Sequence, residues 1–474
     1  MTQAASAAPR LESGARRIAL IVAAAMFMQN LDGAIINTSL PQIAASFTVP
    51  PVDTNIGITA YILSFAAFIP LGGWSADRFG AKAVFAVAIV VFTLASIACG
   101  LSASLWPFAT ARAVQGVGAA LMAPVGRTLV LRNTEKSALI EATALTVWPA
   151  LIAPVVGPAI GGLITTYLSW RWNFLLNAPL GVAGVALVVA FIPDHRDEKQ
   201  TPLDITGFVL SAGALMSLLY GLERLAHSGQ GWIFAAGLIA TGAIAGGLGI
   251  RHFRRTAHPL LDLSAFQTQT FAVSTLDAIV FRIAIQATPF LLPLMLQIGF
   301  GYNAWQAGSF LLVYFGGNLA MKSITTATLR AWGFRNVIIV NGLGISLTIA
   351  ACGLLTPATP WLTTAAILFA AGLTRSMQFT TFATLAFADV LPAQRGSAST
   401  LFNMSQQISI GLGVAAASIG LETSRTIHGT ADVTLADFHV MFFAFALVAL
   451  AATAAVVRLP RGAGAALSGH ETAG

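Results

Sequence analysis

The chain has 474 residues, of which 56% are hydrophobic and 9% charged, against roughly 25% charged in soluble domains. That leaves too little polar surface for a water-soluble globule, so the chain reads as an all-α integral membrane protein surrounded by lipid bilayer. The net charge of +7 does not indicate a nucleic-acid partner, because the basic residues are scattered through short loops rather than gathered on one face.

Apolar runs of about 20 residues, enough to cross a hydrocarbon core, recur over 18–40, 56–76, 83–102, 105–126, 142–166, 173–192, 204–222, 232–250, 271–297, 304–322, 336–355, 361–386, 397–420 and 438–457. They predict about fourteen transmembrane helices. The first run follows Arg16 and Arg17 but contains Gln29, Asn30, Asp32 and Asn37, which does not fit a short cleavable signal. If the N-terminus and every second loop are cytoplasmic, that side receives nineteen of the twenty-five Lys and Arg residues. The opposite side receives Arg171, Arg224 and Arg425, and three more, Arg112, Arg282 and Arg375, fall inside spans. This excess places both termini in the cytoplasm. Trp106, Trp170, Trp172, Trp232, Trp305 and Trp361 fall at outer span ends, where interfacial belts place them.

The chain also repeats itself. Phe79-Gly80-Ala81-Lys82 opens a run that ends in Cys99-Gly100-Leu101, and Trp332-Gly333-Phe334-Arg335 opens one that ends in Cys352-Gly353-Leu354, offset by 253 residues throughout. Span three therefore matches span eleven. This predicts a six-helix bundle over 1–192, connectors and an inserted pair of helices over 193–258, and a second six-helix bundle with a short tail over 259–474. The connectors are Pro193 to Lys199 and Arg251 to Arg255. Both cysteines lie in apolar runs, so neither a disulfide framework nor a metal cluster is indicated, and no cofactor is expected.

Ionisable residues at membrane depth are functional candidates. Asp32 lies about 20 Å into span one at 1.5 Å per residue. It suits a proton carrier whose protonation changes as the site opens to one side or the other, or else a carboxylate permanently paired with an arginine. Arg112 and Gln115 share a helix face on span four, and Arg375 and Gln378 repeat the spacing on span twelve. With Arg282 on span nine, these arginines either tune or pair with the carboxylate, or bind an anionic substrate. Asp277 lies near the cytoplasmic interface and reads as an interfacial charge. Polar or aromatic cavity candidates are Gln29, Asn30, Asn37, Gln115, Trp148, Arg282, Asn318, Arg375, Gln378, Asn403, Gln406 and Gln407; each is equally suited to an interhelical hydrogen bond. His195, His227, His252, His258, His428, His439 and His470 fall in loops, tails or span ends, and no H-E-x-x-H, G-x-S-x-G or P-loop occurs, which argues against an intramembrane enzyme.

Five motifs carry a resemblance. Gly73 to Lys82 resembles the G-x-x-x-D-R-x-G-R-K loop of the major facilitator superfamily, with Ala81 in place of the usual Arg. Leu31 to Pro41 resembles the L-D-x-T-I-V-N-x-A-L-P first span of its fourteen-span drug:proton antiporters, and Arg112 to Ala120 their R-x-x-Q-G-x-G-A-A motif. Gly157-Pro158-Ala159-Ile160-Gly161-Gly162 resembles the core of their fifth-span antiporter motif, with Ala153 at the place of an upstream Gly. Trp170 to Gly181 matches their W-R-W-x-F-x-x-N-x-P-x-G start of span six. Within that branch the chain most resembles MdtD-type bacterial exporters. The resemblance implies the major facilitator fold and proton-coupled efflux of small molecules across the bacterial inner membrane by a monomer. It gives Asp32 and Arg112 to proton coupling, and Gly157, Pro158, Gly161 and Gly162 to a gating helix. A cytoplasmic latch falls to Gly73, Asp77, Arg78, Gly80 and Lys82, echoed by Gly333 and Arg335. The alternative substrate is an anionic carboxylate or metal-carboxylate chelate such as a citrate complex.

Overall fold

The computed structural model describes residues 12–135, 138–194, 202–226, 231–257, 259–391 and 394–456. Arg10, Lys136, His195 to Lys199, His227, His258, Arg458, Arg461 and His470 lie outside the described residues. The described chain is helical with no strand. Its helices are α1 Ser13–Ile35, α2 Leu40–Phe47, α3 Asn55–Phe68, α4 Leu71–Phe79, α5 Ala81–Leu101, α6 Leu105–Arg132, α7 Leu139–Tyr167, α8 Trp172–Leu175 and α9 Asn177–Phe191, followed by α10 Ile205–Ala226, α11 Trp232–Phe253, α12 Gln269–Ala272, α13 Ala278–Leu294, α14 Ala304–Cys352, α15 Trp361–Ala386, α16 Arg395–His428 and α17 Leu435–Val456. In lipid every backbone N–H and C=O must be satisfied within the segment, which is what a helix does.

Among the described residues eleven helices are long and apolar enough to cross a membrane, or twelve if α3 and α4, bent by 57°, are one span. The sequence predicts about fourteen. The difference has two physical sources. Ala304–Cys352 runs 49 residues, about 73 Å at 1.5 Å per residue, twice a hydrocarbon core, and so counts once where the apolar pattern has two runs. Trp361–Ala386 is interrupted by Thr364, Thr374, Arg375 and Gln378, which dilute its hydropathy.

The repeat has a backbone counterpart. Gly80, φ 88°, separates α4 from α5, and Gly333, φ 72°, breaks the long α14 at the matching place. Positive φ is accessible to glycine at little cost, so both turns need a residue without Cβ. Cys99 and Cys352 are both fully buried.

The helices of the N-terminal part pack together as α1 on α6 and α7, α3 on α6, and α5 on α6 and α9. In the C-terminal part α13 packs on α16 and α17, and α14 on α15 and α17. Two seams join them, α7 with α14 and α3 with α16. Helix α10 touches α3 and α16, one from each part, while α11 leans on α10 and turns Trp232, Ile233, Phe234 and Ile244 outward. Trp170, expected in an interfacial belt, is instead 3% exposed, wedged among Phe47, Phe108 and Phe174.

Candidate functional site

The first span carries its carboxylate inward. Asp32 and Arg112 form an ion pair at 2.7 Å with both side chains 1% exposed. Two neutral amides complete the shell: Gln115 Nε2 donates to Asp32 Oδ1 at 2.8 Å, and Asn177 Nδ2 donates to the same oxygen at 2.8 Å. Arg112 Nη1 also donates to Gln115 Oε1 at 2.6 Å, and its guanidinium sits 4.3 Å from the Tyr61 ring centre. Asn177 is held in turn by Ser96 Oγ, which it reaches at 2.9 Å. A charge at this depth is tolerated only when paired and hydrogen-bonded; three residues, Arg112 and Gln115 from α6 and Asn177 from α9, meet that condition for Asp32 on α1.

Beside this knot lies a cavity of about 240 Å³ between the N-terminal and C-terminal helices. Gln29, Asn30, Asn37, Tyr61 and Arg112 line one side, and Gln286, Arg375 and Gln407 the other. Phe65, Phe290 and Phe315 supply apolar wall. Arg112 thus touches both the cavity and the buried carboxylate. Across from it, Arg375 Nη2 donates to Gln286 Oε1 at 3.1 Å, with the Phe315 and Phe379 rings 5.3 and 5.2 Å away.

Several of the sequence-predicted cavity residues lie elsewhere. Gln115 is fully buried behind Arg112, against Asp32. Gln378 is buried and accepts from Asn341 Nδ2 at 2.7 Å. Arg282, 2% exposed, donates to Ser405 Oγ and to the Ser274 carbonyl, both at 3.1 Å, under the Phe402 ring. Trp148 is 53% exposed on α7, and Asn318, Asn403 and Gln406 are half-buried outside the cavity lining. In each case the rotation of the helix about its axis, which polarity alone does not fix, turns the side chain away.

The Gly-Pro segment of α7 makes close contacts on two faces. A Cβ on Gly157 would come 2.8 Å from Ala34 Cβ, and one on Gly161 2.9 Å from the Ile35 carbonyl. On its other face a Cβ on Gly162 would strike the Ala304 carbonyl, and one on Gly308 the Pro158 carbonyl. Helix α7 therefore touches the Asp32-bearing helix on one side and α14 on the other.

Two residues of the expected latch bond within the N-terminal part. Asp77 pairs with Arg132 at 3.0 Å, both in the N-terminal part, and Lys82 Nζ donates to the Val189 carbonyl at 2.9 Å. Arg78 and Gly73 are exposed. One contact that crosses to the C-terminal helices at this end is Arg127 Nη1 to Ser399 Oγ at 2.8 Å. At the opposite end the crossing bonds are Gln42 Nε2 to Gln297 Oε1 at 3.1 Å, Gln297 Nε2 to the Thr38 carbonyl at 3.1 Å, Trp305 N to Thr166 Oγ1 at 3.0 Å, and Asn55 Nδ2 to Ser418 Oγ at 2.9 Å.

The apolar pattern does not mark Tyr61, Ser96, Asn177 or Gln286. The repeat offset does mark one of them: Tyr314 follows Tyr61 by 253 residues, whereas the same offset from Asp32 falls on Ile285, next to Gln286. Among the described residues no group of three His, Cys, Asp or Glu side chains is placed to hold a metal.

A multi-pass helical bundle with a polar cavity midway between two packed sets of helices, and buried ionisable side chains beside it, defines a solute transporter of the membrane. The profile described as Major Facilitator Superfamily matches residues 22–414, and the chain belongs to that family. "Putative multidrug resistance protein MdtD" of Escherichia coli strain K12 is 33% identical over 431 residues, covering 90% of this chain and 91% of the relative. The protein of that name from Escherichia fergusonii matches to the same extent. Among solved structures the peptide-transporter-family protein PepTSo aligns with a TM-score of 0.69 at 14% identity, over 93% of this chain and 97% of that one. A D-xylose-proton symporter aligns at 0.65 and 13%, over 94% and 98%. These distant likenesses show the fold. The chain is an MdtD-type major facilitator transporter, multi-pass in the bacterial inner membrane.

Proposed function

We propose that the protein exports small molecules by alternating access, with protons entering as substrate leaves. The supporting observation is that Arg112 lines the cavity while pairing with the buried Asp32. A helix movement that draws the guanidinium toward the cavity deprives Asp32 of its cation. At this depth an unpaired carboxylate costs several kcal/mol, and taking up a proton neutralises it. Return of Arg112 expels the proton. Exchange then follows if substrate occupies the cavity while Arg112 is paired with the deprotonated Asp32, and leaves when Asp32 is protonated and the freed guanidinium moves into that space.

The architecture behind this is two six-helix bundles, 1–192 and 259–474, with the inserted pair between them and fourteen spans. Counting both arms of α14 and adding α15 raises the twelve apolar spans to that number. With the termini in the cytoplasm, the four bonds around Gln42, Gln297, Trp305 and Asn55 close the outer end, and α7 is the gating helix. The latch loop then stabilises the cytoplasmic end through Asp77 within its own bundle. Monomeric action follows from the family resemblance.

A second reading of the substrate rests on Arg375. It faces an amide, Gln286, rather than a carboxylate, so the cavity carries a cation without a counter-ion and suits a carboxylate or metal-carboxylate chelate better than a lipophilic cation. In proteoliposomes with an imposed pH gradient, Asp32→Asn protein is expected to bind substrate but to lose proton-driven accumulation. Retained full coupled efflux would remove Asp32 from the mechanism.

A further inference from the structure

The two packed sets of helices each place one arginine beside a tyrosine and a polar partner, and the partners differ in charge. In the N-terminal set Arg112 lies against Tyr61 and pairs with Asp32. In the C-terminal set Arg375 lies 5.9 Å from the ring of Tyr314, the residue 253 after Tyr61, and donates to Gln286, the residue 254 after Asp32. Each arginine has a glutamine three residues on, Gln115 and Gln378. The 253-residue offset itself falls on Ile285, but in space Gln286 stands to Arg375 as Asp32 stands to Arg112, and it is the amide counterpart of an acidic side chain. No carboxylate among the described residues pairs with Arg375; the side chain that accepts its hydrogen bond is the Gln286 amide. Its Nε is buried without a hydrogen-bond partner, and both Arg375 and Gln286 line the cavity.

We propose that Gln286 is the charge selector of the cavity: by presenting an amide in place of a carboxylate it leaves Arg375 open, and the acidic group of the substrate completes that ion pair. The inference rests on the anionic reading of the substrate given above. It makes residue 286 a specificity determinant distinct from the coupling pair, since Gln286 touches Arg375 and has no contact with Asp32. A Glu at 286 fits the same volume and pairs with Arg375 internally, so an anion must then displace it and meets a like charge. Close charge pairs across an interface are coupled by more than about tenfold in affinity.

The test measures ligand-induced thermal stabilisation of detergent-purified full-length protein with two probes, citrate and tetraphenylphosphonium. Citrate is expected to stabilise the parent protein. Gln286→Glu is expected to weaken citrate by about tenfold or more and to tighten tetraphenylphosphonium by a similar factor. Gln286→Met, which leaves Arg375 unpaired, is expected to keep citrate binding. An unchanged ratio of the two affinities in Gln286→Glu overturns the proposal, provided the ligand-free melting temperature matches the parent. If the parent binds only tetraphenylphosphonium, the anionic reading fails by itself; the selector role then stands if Gln286→Glu tightens that cation and falls if it does not. Should Gln286→Glu melt early, Gln286→Met decides: loss of citrate binding in that variant overturns the proposal.

Discussion

Asp32 depends on unequal partners. Asn177 and Gln115 are neutral donors, and a hydrogen bond to a charged group is worth about 1.5–3 kcal/mol; Arg112 is the counter-ion, and removing one member of a buried pair costs about 3–5 kcal/mol. The expected order of damage to the folded protein is therefore Arg112→Gln above Asn177→Ala. The two charges must also compensate. Arg112→Gln alone leaves a bare carboxylate, whereas Arg112→Gln with Asp32→Asn leaves two amides able to bond each other, so the double variant is expected to recover most of the loss. Denaturant or thermal unfolding of the single and double variants in detergent gives the coupling energy; additive losses would mean the pair is not what stabilises the site. The sequence carries the depth of Asp32 and the shared face of Arg112 and Gln115. It does not carry the contact itself, because Asn177 reaches Asp32 from 145 positions away and the packing of α9 against α1 and α5 brings it there.

Hydropathy reads the lipid-immersed part of each helix and misses what continues beyond it. Helix α6 runs to Arg132 and α16 to His428, past the apolar ends at 126 and 420, since backbone hydrogen bonding persists into the interface. The segments flanking the inserted pair look like plain connectors in sequence, yet Asp204 ties them together. Its carboxylate accepts from Gly207 N at 2.8 Å, His252 Nε2 at 2.8 Å and Leu260 N at 3.2 Å, joining the start of α10, the end of α11 and the strand of chain leading to α12. Burial pushes the Asp204 carboxyl upward, but the Gly207 N–H, His252 and the Leu260 N–H outweigh it, so the group lies below its ordinary value. A depressed carboxyl stabilises the fold above its unfolded value, and the contribution disappears as pH falls through the folded one. The stability advantage of the parent over Asp204→Asn is therefore expected to be present above about pH 4 and to shrink at lower pH. Melting curves across that range check this; an advantage that persists to the most acid pH would mean Asp204 acts through shape rather than charge.

At the scale of the molecule, the repeat offset is what made the architecture legible: Gly80 and Gly333 turn alike, Tyr61 and Tyr314 lie against arginines, and the cavity falls between the two sets of helices. Which polar residues enter the cavity was not legible, because that depends on helix rotation and tilt. Gln407 faces it while Gln406 does not. Transport energetics then separates the two substrate readings without any mutation. For one proton entering per substrate leaving, export of a monovalent cation moves no net charge, so the membrane potential contributes nothing and only the pH gradient drives it, at about 1.36 kcal/mol per unit. Export of a monovalent anion moves two charges in the favourable direction, worth about 4.6 kcal/mol per 100 mV, twice the value for one charge. A site whose open cation is Arg375 therefore belongs to a transporter expected to respond steeply to voltage. Imposing potassium diffusion potentials on proteoliposomes at fixed pH gradient tests this directly: citrate efflux should rise with an inside-negative potential, and efflux indifferent to the potential would exclude the anionic substrate at this stoichiometry.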